Sequence, residues 1–85
     1  MRREKERASG RPLRSDAFIR QAMAAWGGSV WRLALAQTGS KEDAEDVYQD
    51  VFLRLAQNTT EFSGQEHLKA WLLRVAVKRL SLIHI

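Results

Sequence analysis

Apolar positions recur at helical spacing in three stretches of the chain, and nowhere does a run alternate in the way a strand requires. The clearest stretch is SKEDAEDVYQDVFLRLAQN, residues 40–58, in which Ala44, Val47, Tyr48, Val51 and Leu55 fall three or four apart. That interval gathers them on one side of a helix of 3.6 residues per turn, so this side is core. Ser40 followed by Asp43 reads as a capping box and marks the start, which predicts a helix over residues 41–57. The opposite side carries Glu42, Asp46, Gln49 and Asp50 around an apolar Leu53. An acidic helix face is commonly plain solvent exposure, but carboxylates and an amide ringing a leucine also make a docking face.

Upstream, a pattern begins at Asp16, itself a candidate N-cap, and places Phe18, Ile19, Ala22, Met23 and Trp26 on one face. Two adjacent glycines, Gly27 and Gly28, interrupt it; together they cost roughly 2 kcal/mol relative to alanine inside a helix, which predicts a kink or a break. The pattern resumes through Val30, Trp31, Leu33 and Ala34 and stops at Thr38 and Gly39, where glycine suits the left-handed turn that ends a helix. Downstream, residues 58–64 form a polar connection holding one aromatic, Phe62. The last helix is predicted over 65–80 and buries Leu68, Leu72, Val75 and Ala76, with Ser63 and Glu66 placed to cap it. The expected fold is all-α: a compact domain of three or four helices, with the first helix near 16–37 broken around Gly27.

Eighty-five residues make one small domain. The absence of cysteine excludes a disulfide framework and a thiolate metal site, and the two histidines, His67 and His84, are too far apart to act as a local ligand pair. No metal or other cofactor is implied. No apolar run approaches the roughly 18 residues of a membrane span, which excludes a membrane partner and makes the cytoplasm the default location.

The formal charge of +4 changes the picture once it is located. Residues 1–14 hold six basic and two acidic side chains, include the only proline and show no apolar periodicity, so they read as a disordered basic tail ahead of a folded unit, 15–80. The folded part is neutral but segregated. Five of the ten acids lie between Glu42 and Asp50, whereas residues 67–85 carry four cations and no acid. One helix suits a basic partner and another an anionic one. Catalysis has no support: there is no nucleophile beside a base, no phosphate loop, no clustered ligand set, and no catalytic residue is assigned.

On the last helix Arg74 and Lys78 lie four apart, flanked by Trp71, which fits phosphate contact with base stacking; a solvated pair beside a core tryptophan fits as well. Phe62, beside Ser63 and Gly64, either folds back as a staple on the last helix or stacks on an unpaired base.

DAEDVYQDVFLRL, preceded by LALAQTGS and followed after a short loop by HLKAWLLRVAV, resembles region 2 of bacterial sigma factors of the sigma-70 family, in the small extracytoplasmic-function group. The likeness runs over about residues 30–77. It implies a transcription initiation module whose acidic helix, through Asp46, Gln49, Asp50 and Leu53, grips the clamp coiled coil of the largest subunit of core RNA polymerase. It implies further that the single-stranded promoter −10 element is read by Phe62, Ser63, Gly64, Trp71, Arg74 and Lys78, with an anti-sigma factor among the candidate partners. The alternative is a helical protein-interaction domain that keeps the docking face without DNA work. Residues 80–85, LSLIHI, depart from the family pattern as an apolar end unsuited to a solvated helix, where the resemblance implies a polar, basic continuation leading to a second DNA-binding region. The expectation is a truncated reading frame with a non-native end over 81–85.

Overall fold

The computed structural model describes residues 14–83 and shows three helices: α1 (Asp16–Thr38), α2 (Lys41–Gln57) and α3 (Gln65–Ile83). No strand occurs among the described residues. Of the tail expected over residues 1–14, residues 1–13 lie outside them, as do His84 and Ile85.

Local chemistry sets most of the boundaries. The cap of α1 is Ser15, not Asp16: the Ser15 hydroxyl oxygen accepts from the Phe18 N–H at 3.1 Å, and Asp16 occupies the first turn, where its charge favours the helix N-terminus. At the other end Gly39 adopts φ 67° and its N–H donates to the Leu35 carbonyl at 2.8 Å, a left-handed close that glycine takes without strain. One residue later Ser40 starts α2 by accepting from the Asp43 N–H at 3.3 Å. The Thr38 hydroxyl bonds the Ala34 carbonyl and accepts from the Ser40 N–H, so the two-residue connection between α1 and α2 is internally satisfied.

α2 supplies the centre of the core with Ala44, Val47, Val51, Phe52 and Leu55, all buried. α1 covers it with Ala22, Val30 and Ala34, and α3 with Leu68, Leu72, Ala76 and Leu80. The larger side chains expected on α1, namely Phe18, Ile19, Met23 and Trp26, pack at the margin of this core as half-buried residues. Small residues hold the crossing itself.

The break expected at Gly27 does not occur, and α1 runs unbroken through both glycines. The reason is a close approach between helices. Gly27 is buried, and a Cβ on it would lie 2.7 Å from the Tyr48 hydroxyl oxygen, so the glycine makes room for a side chain of α2. Gly28 is exposed and would meet only the mobile head of Arg32, at 3.2 Å. Gly28→Ala is therefore expected to stabilise the domain by up to about 1 kcal/mol, the helix-propensity gain. Gly27→Val is expected to destabilise it by about 1 to 3 kcal/mol through overpacking against Tyr48. Thermal melts of the two variants check this; equal shifts would remove Gly27 from the contact.

α3 also runs past its predicted end, to Ile83, and the first residue of the apolar terminus, Leu80, is 4% exposed inside the core. Leu80 thus adds a core residue to the helix, whereas Ser81 and Leu82 after it are exposed. Ser63 does not cap α3 with Glu66 as expected. Gly64 is the boundary residue, its carbonyl accepting from Leu68 N–H at 3.1 Å, and the Ser63 N–H donates to His67 Nδ1 at 3.1 Å.

Candidate polymerase and nucleic-acid interfaces

Glu42, Asp46, Gln49 and Leu53 follow one another at i, i+4, i+7 and i+11, so they form a single stripe on α2, and all four are exposed. Leu53 is 56% exposed, a large apolar residue at the C-terminal end of a polar stripe. The structure thus brings together three of the four residues expected to dock, Asp46, Gln49 and Leu53. Asp50 lies at the edge of the stripe, its carboxylate turned toward α3. Its carboxylate accepts from Arg54 Nε at 2.8 Å and lies 3.4 Å from Arg79 Nε on α3, with the side chain only 25% exposed. A carboxylate held between two guanidinium groups ties α2 to α3 and orients both arginines.

The basic side of α3 presents Trp71, Arg74 and Lys78 in sequence along one stripe, Arg74 and Lys78 exposed and Trp71 half-buried. Beside it, between the end of α2 and α3, runs an open groove of about 490 Å³ whose walls include Arg54, Asn58, Trp71, Lys78 and Arg79. Spacing along α3 displays Lys78 and Trp71, but the contribution of Arg54 and Arg79 has no sequence signal, because it depends on Asp50 drawing two helices together.

The connection between α2 and α3 carries Phe62 into an aromatic cluster. Its ring lies 6.5 Å from Phe18 at an interplanar angle of 12°, and edge-on to His67 at 5.1 Å and to Trp71 at 5.7 Å. Phe62 does fold back on the last helix, while remaining half-buried and adjacent to the exposed Ser63 and Gly64. A side chain at Gly64 would meet no atom within 4 Å, so the surface at this end of the loop is open. Trp26 and Gln65 clasp α1 to the start of α3, the indole Nε1 donating to Oε1 at 2.9 Å, and the Lys69 ammonium sits 5.3 Å above the indole.

Sequence reading misses Arg14 altogether, placing it in the tail. Its backbone N–H donates to the Ala56 carbonyl at 3.0 Å, its Nε to the Leu55 carbonyl at 2.8 Å, and an Nη to the Thr60 carbonyl. The guanidinium carbon stands 5.1 Å from the Phe18 ring centre and 5.0 Å from that of Phe62. Its side chain's hydrogen-bond partners lie 41 and 46 residues away along the chain, beyond the reach of any local motif.

The family model for sigma-70 region 2 matches residues 22–81, from the second turn of α1 to the last turns of α3. The chain belongs to the sigma-70 region 2 family. All ten residues of the two candidate interfaces fall inside the matched span, and Arg14 falls outside it. No curated protein and no solved structure matches the chain. As a sigma-70 region 2 domain it is a transcription-factor module of the kind that binds RNA polymerase and takes part in promoter recognition. Among the described residues no helix is long and apolar enough to cross a membrane.

Proposed function

We propose that this domain is region 2 of an extracytoplasmic-function sigma factor. In this reading the α2 stripe of Asp46, Gln49 and Leu53, with Asp50 at its edge, docks on the clamp coiled coil of the largest polymerase subunit. The loop around Phe62, Ser63 and Gly64 and the α3 stripe of Trp71, Arg74 and Lys78 then meet the unpaired strand of the −10 element. The observation that carries it is the separation of charge onto different helices: an exposed acidic stripe that ends on Leu53, and an exposed cationic stripe beside Trp71 that opens into an arginine-lined groove. An exposed apolar side chain beside polar ones suits a protein interface, and cations with an aromatic ring are the make-up of a single-strand site.

The alternative, a docking domain without DNA work, draws on one observation: Phe62 already packs against Phe18, His67 and Trp71. The test is co-purification with bacterial core RNA polymerase, followed by binding of single-stranded −10 heptamers to that complex. Replacing both Arg74 and Lys78 with glutamine is expected to weaken all strands alike and to lower the slope of log affinity against log salt by up to about 1.4, two single-strand phosphate contacts. Phe62→Ala is expected to cost about 1 to 3 kcal/mol of strand binding. Retention of the polymerase with no strand binding attributable to any of these residues would favour the docking-only reading.

A further inference from the structure

Four carbonyls at the end of any helix lack partners within it, and at the C-terminus of α2 two of them, those of Leu55 and Ala56, are met by Arg14. A cation at a helix C-terminus is also favoured by the helix dipole. The same guanidinium continues past the helix to the Thr60 carbonyl in the loop and lies against both Phe18 and Phe62. Within the loop itself, the bond from Thr60 N–H to Asn58 Oδ1, 2.7 Å, joins only near neighbours. Arg14 is thus the side chain that ties the loop to the end of α2 and to the Phe18–Phe62 pair at once. Arginine suits this because its planar fork donates in two directions while its faces stack on rings; a lysine in the same place offers a point charge and no flat face.

We propose that Arg14 is a positioning residue for strand recognition: it fixes the loop through Thr60 and Phe62, so that Phe62, Ser63 and Gly64 meet an unpaired base already ordered. The inference rests on the loop's role as given under Proposed function. A loop held in its bound pose loses less conformational freedom on binding, and the gain falls on the base whose fit depends on that pose. Phosphate contacts elsewhere do not depend on it.

The experiment uses the full chain with bacterial core RNA polymerase and four single-stranded −10 heptamers that differ only at the base facing the loop. All measurements are made well below the melting temperature of every variant. Arg14→Ala and Arg14→Lys are expected to shrink the spread of affinity across the four heptamers by about fivefold or more, the lower end of what stacking one base on an aromatic ring contributes. The salt slope is expected to stay as in the parent protein. The lysine variant carries the test if the alanine variant does not fold. A lower melting temperature with the spread unchanged would overturn the proposal by reducing Arg14 to a fold clamp. An equal loss on all four heptamers with a shallower salt slope would overturn it by making Arg14 a phosphate contact. Phe62→Ala separates the two layers: if it flattens the spread and the Arg14 variants do not, the positioning role alone is lost, whereas if neither affects the spread, the loop is not the reader.

Discussion

Leu55→Ala is expected to lower the melting temperature of the domain by more than about 10 °C and to leave a substantial fraction unfolded at 37 °C. Leu55 is fully buried on α2, among the largest of the fully buried side chains, and α2 is the helix that both others cover. Removing a leucine from such a site leaves a cavity that a three-helix domain closes only in part, at a cost of about 2 to 5 kcal/mol. A chain of this size has about 4 to 13 kcal/mol of stability in all. For a small domain each kcal/mol corresponds to about 4 to 8 °C. Calorimetry or a circular-dichroism melt reads the outcome, and a Leu55→Ala melt within a few degrees of the parent would mean that α2 is not the centre of the core.

Leu53→Asp is expected to do the reverse: leave the melt nearly unchanged and weaken binding to core RNA polymerase by about thirtyfold or more. Leu53 lies two residues before Leu55, yet it is 56% exposed, and surface substitutions of this kind alter stability by about 0.5 kcal/mol or less. If the α2 stripe docks, Leu53 is its apolar anchor, and losing such an anchor costs about 2 kcal/mol or more. A carboxylate there also removes the apolar side chain and adds charge one turn from Asp50. Asp50→Asn is expected to have the smaller effect on docking, since the Asp50 carboxylate is engaged by Arg54 and Arg79. Affinity for core enzyme, measured for each variant with folding confirmed, decides it. Unchanged affinity for Leu53→Asp would make this stripe an ordinary solvated face.

The pair Leu53 and Leu55 shows how far sequence reading carries. Period alone assigns one to the core and the other to the surface, because a rotation of about 200° separates residues two apart on a helix. The candidate site is legible in the same measure. Asp46, Gln49, Leu53, Arg74 and Lys78 stand out because their exposure follows from helical phase. The roles of Asp50, Phe62 and Trp71 stay open, since each sits at the border of a face where the neighbouring helix decides what it touches. Asp50 turns to Arg79 of α3, and Phe62 to Phe18 of α1 and Trp71 of α3.

By itself the sequence determined that the domain is all-α, that its central helix is α2, that Ser40 and Gly39 mark the turn between α1 and α2, and that acid and base lie on different helices. Each of these depends on interactions within one or two helical turns, which any stretch of chain carries with it. Tertiary structure alone decided that α1 continues through Gly27, that Leu80 is core, that Asp50 joins two helices and that Arg14 belongs to the fold. These depend on partners in other elements. A glycine pair weakens an isolated helix, but once Tyr48 packs against Gly27 the missing side chain becomes the space the contact needs. An arginine ahead of a helix is featureless until the end of α2 and the loop after it present their carbonyls to it.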